Sequence, residues 1–543
     1  MTDAAFDALI VGAGFSGLYM LHRLRGQGLS VRLFEAGPSV GGTWYWNRYP
    51  GARVDIESQE YSYSFSPELD AEWVWSERYA TQPELLVYLN HVADRFDLRR
   101  DIQLDTRVTA AAFDEATNRW RVSTDRGEVV SARWCVMATG CLSVANEPDF
   151  LGAETFAGRS WHTQKWPEGG VDFSGQRVGV IGTGSSAIQS IPEIAGEAAQ
   201  VTVFQRTPNF SVPAHNGPVD PGVAADWAAN RAARRAEARE TGFGIRMVEG
   251  RDQPAVEADP AERQAEFERR WRIGGFAMLG AYGDLLASDE ANETAAEFVR
   301  SKIREIVADP AVAEKLSPRT FPIGSKRLCV DTGYYATFNR PNVSLVDLRE
   351  EPIRAIEPAG IRTSARLYPL DAIVYATGFD AMTGALSRID IRGRGGVSLK
   401  ESWAAGPRTY LGLMIAGFPN LFIVTGPGSP SVLCNMAVAI EQHVEWISDC
   451  IAWMSQRQLG RIEATEQAQD AWVAHVNEVA EGTLFPKANS WYMGANVPGK
   501  PRVFMPYIGG FPVYRDKCAE VAANGYEGCL VASDAQGQAV ARA

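Results

Sequence analysis

Two glycine-rich segments have the residue types and the spacing of a phosphate-binding turn. The first is Gly12-Ala-Gly-Phe-Ser-Gly17 and the second is Gly182-Thr-Gly-Ser-Ser-Ala187. In such a segment the first glycine allows a tight turn, and the second lets backbone N–H groups approach a pyrophosphate. The start of the following helix adds positive potential for the phosphates. The sequence therefore predicts two dinucleotide sites in one chain.

The elements around the first turn place it between a strand and a helix. Ala8–Val11 is a short apolar run typical of a buried parallel strand, and Leu18–Arg25 has the apolar spacing of a helix. A second strand is predicted over 30–34, and it ends at Glu35, whose carboxylate can accept hydrogen bonds from a ribose diol. That carboxylate would repel a 2′-phosphate, so we expect FAD rather than NADPH at this site.

The second turn has the same context but lacks the acid. Strands are predicted over 177–181 and 201–205, with Gln205, Arg206 and Thr207 in the place of the carboxylate. A cation and a hydroxyl after that strand suit a 2′-phosphate, so we expect NADPH at the second site.

Composition excludes several other classes of protein. The net charge of -13 over 543 residues argues against a nucleic-acid partner. No apolar run reaches the ~18 residues of a membrane span, and the six histidines show no metal-ligand spacing. The seven cysteines are scattered without a C-x-x-C pair, which disfavours a flavin disulfide reductase and favours a cytoplasmic protein with reduced thiols.

A further segment between the two turns connects the sequence to a known family. It reads F-x-G-x-x-x-H-x-x-x-W-P, with Phe156, Gly158, His162, Trp166 and Pro167 at the fixed positions. This pattern resembles the fingerprint of the Baeyer–Villiger monooxygenases, flavoenzymes that insert one oxygen atom of O2 beside a ketone carbonyl. The resemblance covers nearly the whole chain, and it is strongest to the branch of phenylacetone, cyclohexanone and steroid monooxygenases.

The chemistry of the fingerprint histidine stays open on the residues alone. His162 could be a general base, a switch residue or a structural histidine, and the structural interpretation is favoured because the segment links two domains. The resemblance implies a hinge that couples NADP movement to catalysis.

Two more segments carry the resemblance. Gly42-Thr-Trp44 is similar to a G-G-x-W segment that passes along the flavin, and its continuation to Asp55 resembles a form specific to this family. The Lys326-Arg327 pair resembles the segment that carries the active-site arginine. On the residues alone, Asp55 could be a turn or cap residue and the basic pair could be surface charge. The resemblance implies that Arg327 faces the flavin, that Asp55 positions it and that Lys326 helps to bind the 2′-phosphate.

The turns and the resemblance together imply three sets of contacts. The contacts to FAD are Gly12, Gly14, Phe15, Ser16, Gly17, Glu35, Gly42, Thr43, Trp44, Asp55, Tyr61, Val108 and Met436. The contacts to NADP are Gly182, Thr183, Gly184, Ser185, Ser186, Ala187, Arg206, Thr207, Lys326, Arg327 and Trp491. The contacts to substrate are Ser431, Val432 and Leu433. On the residues alone, Tyr61 and Val108 could equally be core, and Trp491 could be a buried structural tryptophan.

The predicted fold is α/β, with two Rossmann-like dinucleotide-binding domains, the NADP domain inserted into the FAD domain, and an additional helical insert. Two A-T-G segments, Ala138-Thr-Gly140 and Ala376-Thr-Gly378, resemble the crossovers between such domains. The predicted bounds are 1–145 and 376–543 for the FAD domain, 146–217 and 320–375 for the NADP domain, and 218–319 for the insert, which is rich in Ala, Glu and Arg. Within the insert, aromatic and small residues of 274–286 could form part of a substrate cavity, and helix–helix core is favoured for most of them.

The resemblance implies the conversion of ketones to esters or lactones with O2 and NADPH through a flavin C4a-peroxide, with sulfide oxidation as a side activity. Arg327 would stabilise the negative charge of that reaction, with Asp55 as catalytic partner. One alternative is an N- or S-hydroxylating class B flavin monooxygenase, whose fingerprint typically lacks the W-P ending. Another is a catalytically silent dinucleotide-binding protein. We expect a ketone and O2 as partners, neither nucleic acid nor membrane, and a monomer or weak homo-oligomer.

Overall fold

The computed structural model describes residues 4–248, 250–533 and 540–541. The strands are β1 (Ala4–Val11), β2 (Val31–Phe34), β3 (Ile102–Gln103), β4 (Val108–Asp114), β5 (Arg119–Thr124), β6 (Val129–Met137), β7 (Arg159–His162), β8 (Arg177–Ile181), β9 (Gln200–Gln205), β10 (Ser211–Pro213), β11 (Cys329–Asp331), β12 (Val343–Asp347), β13 (Ile353–Glu357), β14 (Gly360–Thr363), β15 (Leu367–Pro369), β16 (Ala372–Tyr375), β17 (Asp390–Arg392), β18 (Leu421–Ile423), β19 (Leu459–Ala464), β20 (Cys529–Ser533) and β21 (Val540–Ala541). The α-helices are α1 (Phe15–Gly26), α2 (Thr43–Trp46), α3 (Pro67–Glu72), α4 (Gln82–Arg95), α5 (Ser185–Glu197), α6 (Pro221–Arg239), α7 (Pro260–Ile273), α8 (Asp289–Ile306), α9 (Pro310–Leu316), α10 (Tyr334–Thr337), α11 (Leu399–Ser402), α12 (Met436–Gln456), α13 (Glu466–Glu481) and α14 (Phe511–Ala523).

The first sheet combines strands from both ends of the chain. Its order is β17-β4-β5-β6-β1-β2-β3, and β18 adds to β6 beyond the end of β5. β1 pairs in parallel with β2 and β6, whereas β4, β5 and β6 form the antiparallel meander that the sequence predicts in part as a hairpin. Because β17 and β18 pair in parallel with β4 and β6, distant parts of the chain close one sheet.

The second sheet is wholly parallel, and its strands all lie between residues 159 and 375. Its order is β12-β9-β8-β16-β7. The central strands are apolar on both faces; for example, Val178, Val180 and Val203 are fully buried, as a parallel sheet covered by helices requires. The strand that the fingerprint forms, β7, is the edge strand, and His162 pairs with Tyr375 at its carboxyl end.

The predicted helices of the insert are present between two short strands. β10 and β11 pair in parallel, and α6, α7, α8 and α9 lie between them in the chain. The side chains of Asp220, Asp259, Ser288 and Asp309 cap these helices by accepting hydrogen bonds from first-turn N–H groups. In the described part of the chain, no helix combines the length and the apolar character that a membrane span requires.

Some elements differ from the sequence predictions. α5 begins at Ser185, inside the predicted glycine-rich segment, because Gly184 takes the N-cap position. The antiparallel sheets β13-β14-β15 and β19-β20-β21 were not predicted in full. The strands of β13-β14-β15 have only three to five residues, so they lack the long apolar runs that signal a buried strand.

Candidate functional site

Each glycine turn is pressed against the chain segment that joins the two sheets. Gly12 has φ +105° and Gly182 has φ +124°. A Cβ atom would lie 2.5 Å from the Ala138 carbonyl oxygen at Gly12, and 2.3 Å from the Ala376 carbonyl oxygen at Gly182. Because of these close contacts, only glycine fits at either position. Since the two alanines begin the two A-T-G segments, each predicted nucleotide turn lies against a link between the sheets.

The turns leave room and free donors for phosphate groups. α1 and α5 start with glycine N-caps that provide no capping side chain, and neither helix carries an acid in its first turn. A Cβ atom on Gly184 would meet nothing within 4 Å. Gly14 lies against Gly42, so the G-G-T-W segment runs along the first turn. First-turn N–H groups without partners beside open space fit the pyrophosphate of a dinucleotide.

Glu35 is held at the rim of the first turn. Its carboxylate is 5% exposed and accepts hydrogen bonds from the Ala13 N–H at 2.7 Å and the Gly37 N–H at 2.8 Å. Burial raises the pKa of this carboxyl, although the two backbone bonds oppose the shift. The carboxylate also accepts a hydrogen bond from the Trp46 side chain, and its remaining lone pair fits the predicted ribose contact.

A pair of cations lies at the second turn. Burial and the neighbouring Arg206 guanidinium lower the pKa of Lys326 to about 8, and Lys326 Nζ lies 4.4 Å from the ring centre of Phe321. Thr183 donates to the Thr207 carbonyl at 2.6 Å, which ties the turn to the segment after β9. No carboxylate among the described residues pairs with Arg206 or Lys326. Two neighbouring cations without a counter-ion fit a 2′-phosphate.

Arg327 and Asp55 form a two-pronged ion pair across 272 residues of sequence. Arg327 Nη2 donates to Asp55 Oδ1 at 2.8 Å, Nε donates to Oδ2 at 2.9 Å, and Nη1 donates to the Val432 carbonyl at 2.8 Å. The guanidinium also lies 4.6 Å from the ring centre of Phe276. Burial alone would lower the pKa of Arg327, but the charge and hydrogen bonds of Asp55 outweigh it, so the pKa is raised. Arg327 therefore stays charged at any working pH.

Arg327 opens into an apolar cavity with about 400 Å³ of empty space. The helical insert supplies six of its thirteen lining residues: Phe243, Ile245, Val248, Phe276, Leu279 and Leu286. Leu433, Phe485 and Tyr492 complete it, and Lys326 lines it beside Arg327. Burial raises the pKa of Tyr492 to about 12, although the Arg327 charge opposes the shift. A guanidinium and a neighbouring ammonium group in a largely apolar wall can bind a polar atom of an apolar ligand.

The fingerprint segment pairs with the second sheet and leads directly to a contact with α2 of the first nucleotide site. His162 is buried at the end of β7, where its Nδ1 accepts from the Gln164 N–H at 3.1 Å, so the ring proton is on Nε2, beside the Gly378 backbone. Burial lowers the pKa of His162 to about 4, so the ring is neutral near pH 7. Just beyond the fingerprint, Glu168 accepts from the Tyr45 hydroxyl at 2.7 Å. This geometry favours the structural interpretation of His162.

The aromatic residues of the fingerprint pack among themselves and against the second sheet. The rings of Trp161, Trp166 and Phe173 lie 6.0 Å apart in each pair. Phe156 packs against the apolar cluster around Ile361, and a Cβ atom on Gly158 would lie 2.3 Å from the Asp371 carbonyl. Pro167 follows Trp166 in the chain, and its carbonyl accepts a hydrogen bond from the Gly170 N–H.

The loop around Trp491 is tied to the links between the sheets. The side-chain amide of Asn496 donates to the Phe379 backbone carbonyl at 2.7 Å. The Asn496 backbone carbonyl accepts from the Asn146 side-chain amide at 3.0 Å. Lys500 pairs with Asp380 at 2.7 Å. Trp491 is half-buried against Tyr492, with 4.2 Å between ring centres.

The other predicted contacts are placed as follows. Phe15, Trp44 and Tyr61 form one aromatic cluster, with ring centres 5.3 Å apart for Phe15 and Tyr61 and 5.8 Å for Trp44 and Tyr61. Met436 opens α12 and is half-buried. Val108 lies in the apolar cluster with Val11 and Phe34. The remaining turn residues lie in the first turns of α1, α2 and α5: Ser16, Gly17, Thr43, Ser185, Ser186 and Ala187.

The three predicted substrate residues differ in their placement. Leu433 lines the cavity, and Val432 reaches it only through the carbonyl that accepts from Arg327. Ser431 is fully buried, and its hydroxyl donates to the Thr425 carbonyl at 3.2 Å. The same hydroxyl oxygen lies 3.1 Å from Cys141 Sγ. Its substrate contact stays a prediction that this geometry does not support.

Sequence reasoning missed several residues of the cavity. Phe243, Ile245, Val248, Phe485 and Tyr492 were not predicted, because an apolar residue on a short turn has no distinctive sequence pattern. Tyr492 had one available signal, since it follows the predicted Trp491. Within 274–286, where core was favoured for most residues and part of a cavity for the others, Phe276, Leu279 and Leu286 line the cavity.

The chain is similar to known proteins over nearly its whole length. A family model described as pyridine nucleotide-disulphide oxidoreductase matches residues 9–225. A Baeyer–Villiger monooxygenase from Pseudooceanicola batsensis is 45% identical over 529 residues, which are 96% of each chain. A structure of oxidized steroid monooxygenase bound to NADP is 56% identical, with a TM-score of 0.93 over 97% of this chain and 99% of that one. A structure of an OTEMO complex with FAD and NADP is 41% identical, with a TM-score of 0.94 over 98% of this chain and 100% of that one.

These comparisons confirm the predicted α/β fold class with its FAD- and NADP-binding Rossmann-type domains. FAD and NADPH are the cofactors, and the enzyme is an oxidoreductase that converts ketones to esters or lactones, in preference to the hydroxylating alternative. Since the likeness extends over nearly the full length at 45% identity, the chain belongs to the Baeyer–Villiger monooxygenase family.

Proposed function

We propose that Arg327 is the catalytic residue of this chain, and that Asp55 holds it in position for an apolar ketone. The observation that carries the proposal is the two-pronged Arg327–Asp55 pair at the wall of an apolar cavity, next to the two nucleotide turns. When FAD is bound, it supplies the activation of O2 after reduction by NADPH. What this chain supplies is a fixed positive charge where negative charge develops on the ketone oxygen.

The hydrogen bonds of Arg327 suit that task. Three of its five N–H groups are used by Asp55 and the Val432 carbonyl, which leaves two for Tyr492 and for a ligand in the cavity. A donor fixed before the reaction stabilises developing charge without reorganising during it. Arginine also keeps its charge throughout, which a lysine beside a second cation would not.

Asp55 is proposed as a positioning group and as a FAD contact. The side chains of Arg327 and Asp55 are 22% and 24% exposed, so neither is well solvated. Removing Asp55 would leave a shielded cation that lacks its partner and its fixed orientation. Tyr49 supports the segment that carries Asp55, because its hydroxyl donates to Gln189 of α5 at 2.8 Å.

The walls of the cavity support an apolar ketone as the substrate. Phenylalanine and leucine side chains from the insert surround Arg327, so binding would come from apolar area and orientation from one polar contact. The same walls exclude water from the reacting atoms. Aromatic, cyclic and larger ketones fit this lining better than small polar ones.

We assign the predicted contacts to the two cofactors by sheet. The turn after β1, the segment after Gly42 and the proposed contacts Tyr61, Val108 and Met436 belong to the FAD domain, over 1–145 and 376–543. The turn after β8 would bind NADP together with Arg206, Lys326 and Trp491. The NADP domain would comprise 146–217 and 320–375, and the helical insert would comprise 218–319. The fingerprint would act as the hinge, because it pairs with β16 on one side and is tied to Tyr45 through Glu168 on the other.

The chain would work on small molecules as a monomer or weak homo-oligomer. The proposed site is assembled from one chain, which supports this state. The net charge of -13 supports the absence of a nucleic-acid partner. All seven cysteines are free and buried, which supports a reducing compartment such as the cytoplasm.

The proposed function is tested with purified FAD-loaded protein, NADPH and a panel of ketones, with amines and sulfides in parallel. We expect aryl and cyclic ketones to gain one oxygen atom by mass spectrometry, as esters or lactones. Oxygen transfer to amines but to none of the ketones would contradict the proposal.

Replacing the arginine separates NADPH oxidation from ester formation. Arg327→Ala is expected to keep consuming NADPH, while ester formation falls by ~10²–10³ because one preorganised charge is lost. Arg362→Ala is the control, since Arg362 forms a comparable two-pronged pair with Glu357 away from the cavity. Ester formation in Arg327→Ala near that of the control would refute the catalytic role.

The affinity for NADP+ should fall as the pH rises. A pKa of about 8 for Lys326 means that the free protein loses this positive charge above pH 8, while a bound 2′-phosphate favours the charged form. We expect the Kd to rise about tenfold from pH 7 to pH 9. Titration calorimetry with NADP+ measures this, and NAD+ and the variant Lys326→Met should both show a flat profile. An equal slope for NAD+ would contradict the assignment.

The fingerprint histidine should matter for turnover but not through its charge. Because the pKa of His162 is about 4, the ring is neutral across pH 6–8. We expect His162→Leu to retain its flavin spectrum and turn over several-fold more slowly, with an unchanged shape of the pH profile of kcat/KM. His91→Leu, at a half-exposed histidine beside Glu72, is the control. Loss of the flavin, or of one limb of the profile, would contradict the hinge role.

A further inference from the structure

A second cavity lies between α3, α4 and α6 and shares no lining residue with the ketone cavity. It contains about 600 Å³ of empty space. Four aromatic side chains line it: Trp73, Trp75, Tyr88 and Trp227. None of them has a part in the proposed ketone or dinucleotide sites.

Three of these rings form a fixed wall. The ring centres are 5.7 Å apart for Trp73 and Trp75, 5.1 Å for Trp73 and Tyr88, and 5.1 Å for Trp75 and Tyr88. Trp75 is 7% exposed and Tyr88 is 1% exposed, so packing holds both in place. Neighbouring Val74, which also lines the cavity, is 79% exposed and extends its apolar surface outward. Such a wall suits a flat apolar group.

Two polar atoms of the cavity lining are donors without acceptors. Trp73 Nε1 and Arg231 Nε are buried, and neither has a hydrogen-bond partner among the described residues. Nor does any described carboxylate form an ion pair with Arg231. Buried donors without acceptors are unfavourable, and the half-buried Arg231 also lacks a carboxylate partner for its charge.

The one acid in the lining does not supply the missing acceptor. Asp70 accepts from Arg235 through Nη2 at 3.0 Å and Nε at 3.3 Å, and Arg235 is itself 8% exposed. Arg235 also lies over Trp227, with 5.2 Å from Cζ to the ring centre. Asp70 is thus neutralised, and it leaves Arg231 as the cation available to a ligand.

We propose that this cavity binds a small aryl carboxylate. The ring would pack against Trp73, Trp75 and Tyr88, and the carboxylate would accept from Arg231 and from the indole N–H of Trp73. Arginine binds carboxylates with two parallel hydrogen bonds, which adds orientation to charge. Since the whole chain carries a net charge of -13, this attraction is local and not a property of the general surface.

The test is titration calorimetry of the FAD-loaded full chain with phenylacetate, and with phenylacetamide as its neutral counterpart. We expect phenylacetate to bind, Arg231→Met to weaken that binding at least tenfold, and Trp73→Phe to weaken it several-fold. Phenylacetamide should bind more weakly and be insensitive to Arg231→Met. Ketone oxidation by Arg231→Met should equal that of the unmodified chain, which separates this site from the proposed catalytic one.

Arg234→Met is the matched control, because it removes the same charge from the same helix. Arg234 pairs with Asp226 and Glu237, and it does not line the cavity. Should Arg231→Met fail to fold, as judged by circular dichroism, Trp73→Phe carries the test. The proposal is overturned by an absence of phenylacetate binding, by an equal loss in Arg234→Met, or by displacement of phenylacetate by a ketone substrate.

Discussion

The bond between Arg327 and Asp55 is the interaction on which the site depends. Asp55 follows the first nucleotide turn, whereas Arg327 follows the helical insert, and the two meet only because the sheets are interleaved. The Asp55 carboxylate fixes the plane of the guanidinium by accepting from Nε and Nη2, and the Val432 carbonyl accepts from Nη1. The result is a positive charge with a defined orientation that does not titrate near neutral pH, in a largely apolar wall that it shares with Lys326.

The same interleaving places both nucleotide turns on the links between the sheets. Gly12 abuts Ala138 and Gly182 abuts Ala376, so each turn contacts the segment by which the chain passes to the other sheet. The loop with Asn496 and Lys500 is bonded to the same links. Binding or release of either nucleotide would therefore act close to the segments that link the two sheets. The fingerprint strand β7 lies at the edge of the second sheet, beside these links.

Sequence and structure agree best where local physics decides the conformation. The glycine turns, the strands that precede them and the capped helices of the insert follow from residue type and spacing. The family resemblance led to Arg327 and Asp55, which the residues alone would have left as surface charge and a turn aspartate. The cavity wall could not be predicted, because Phe243, Phe485 and Tyr492 come together only through tertiary packing. The bond from Arg327 to Val432 uses a backbone carbonyl, which leaves no trace in the sequence.

The most direct test of the central claim is a crystal structure of the chain with FAD and NADP+ bound. The Arg327–Asp55 account predicts a guanidinium still bonded to Asp55, with its remaining N–H groups directed to the space above the flavin ring where a ketone would lie. A guanidinium that is turned away from the ring in that complex, with another side chain holding the position, would contradict it.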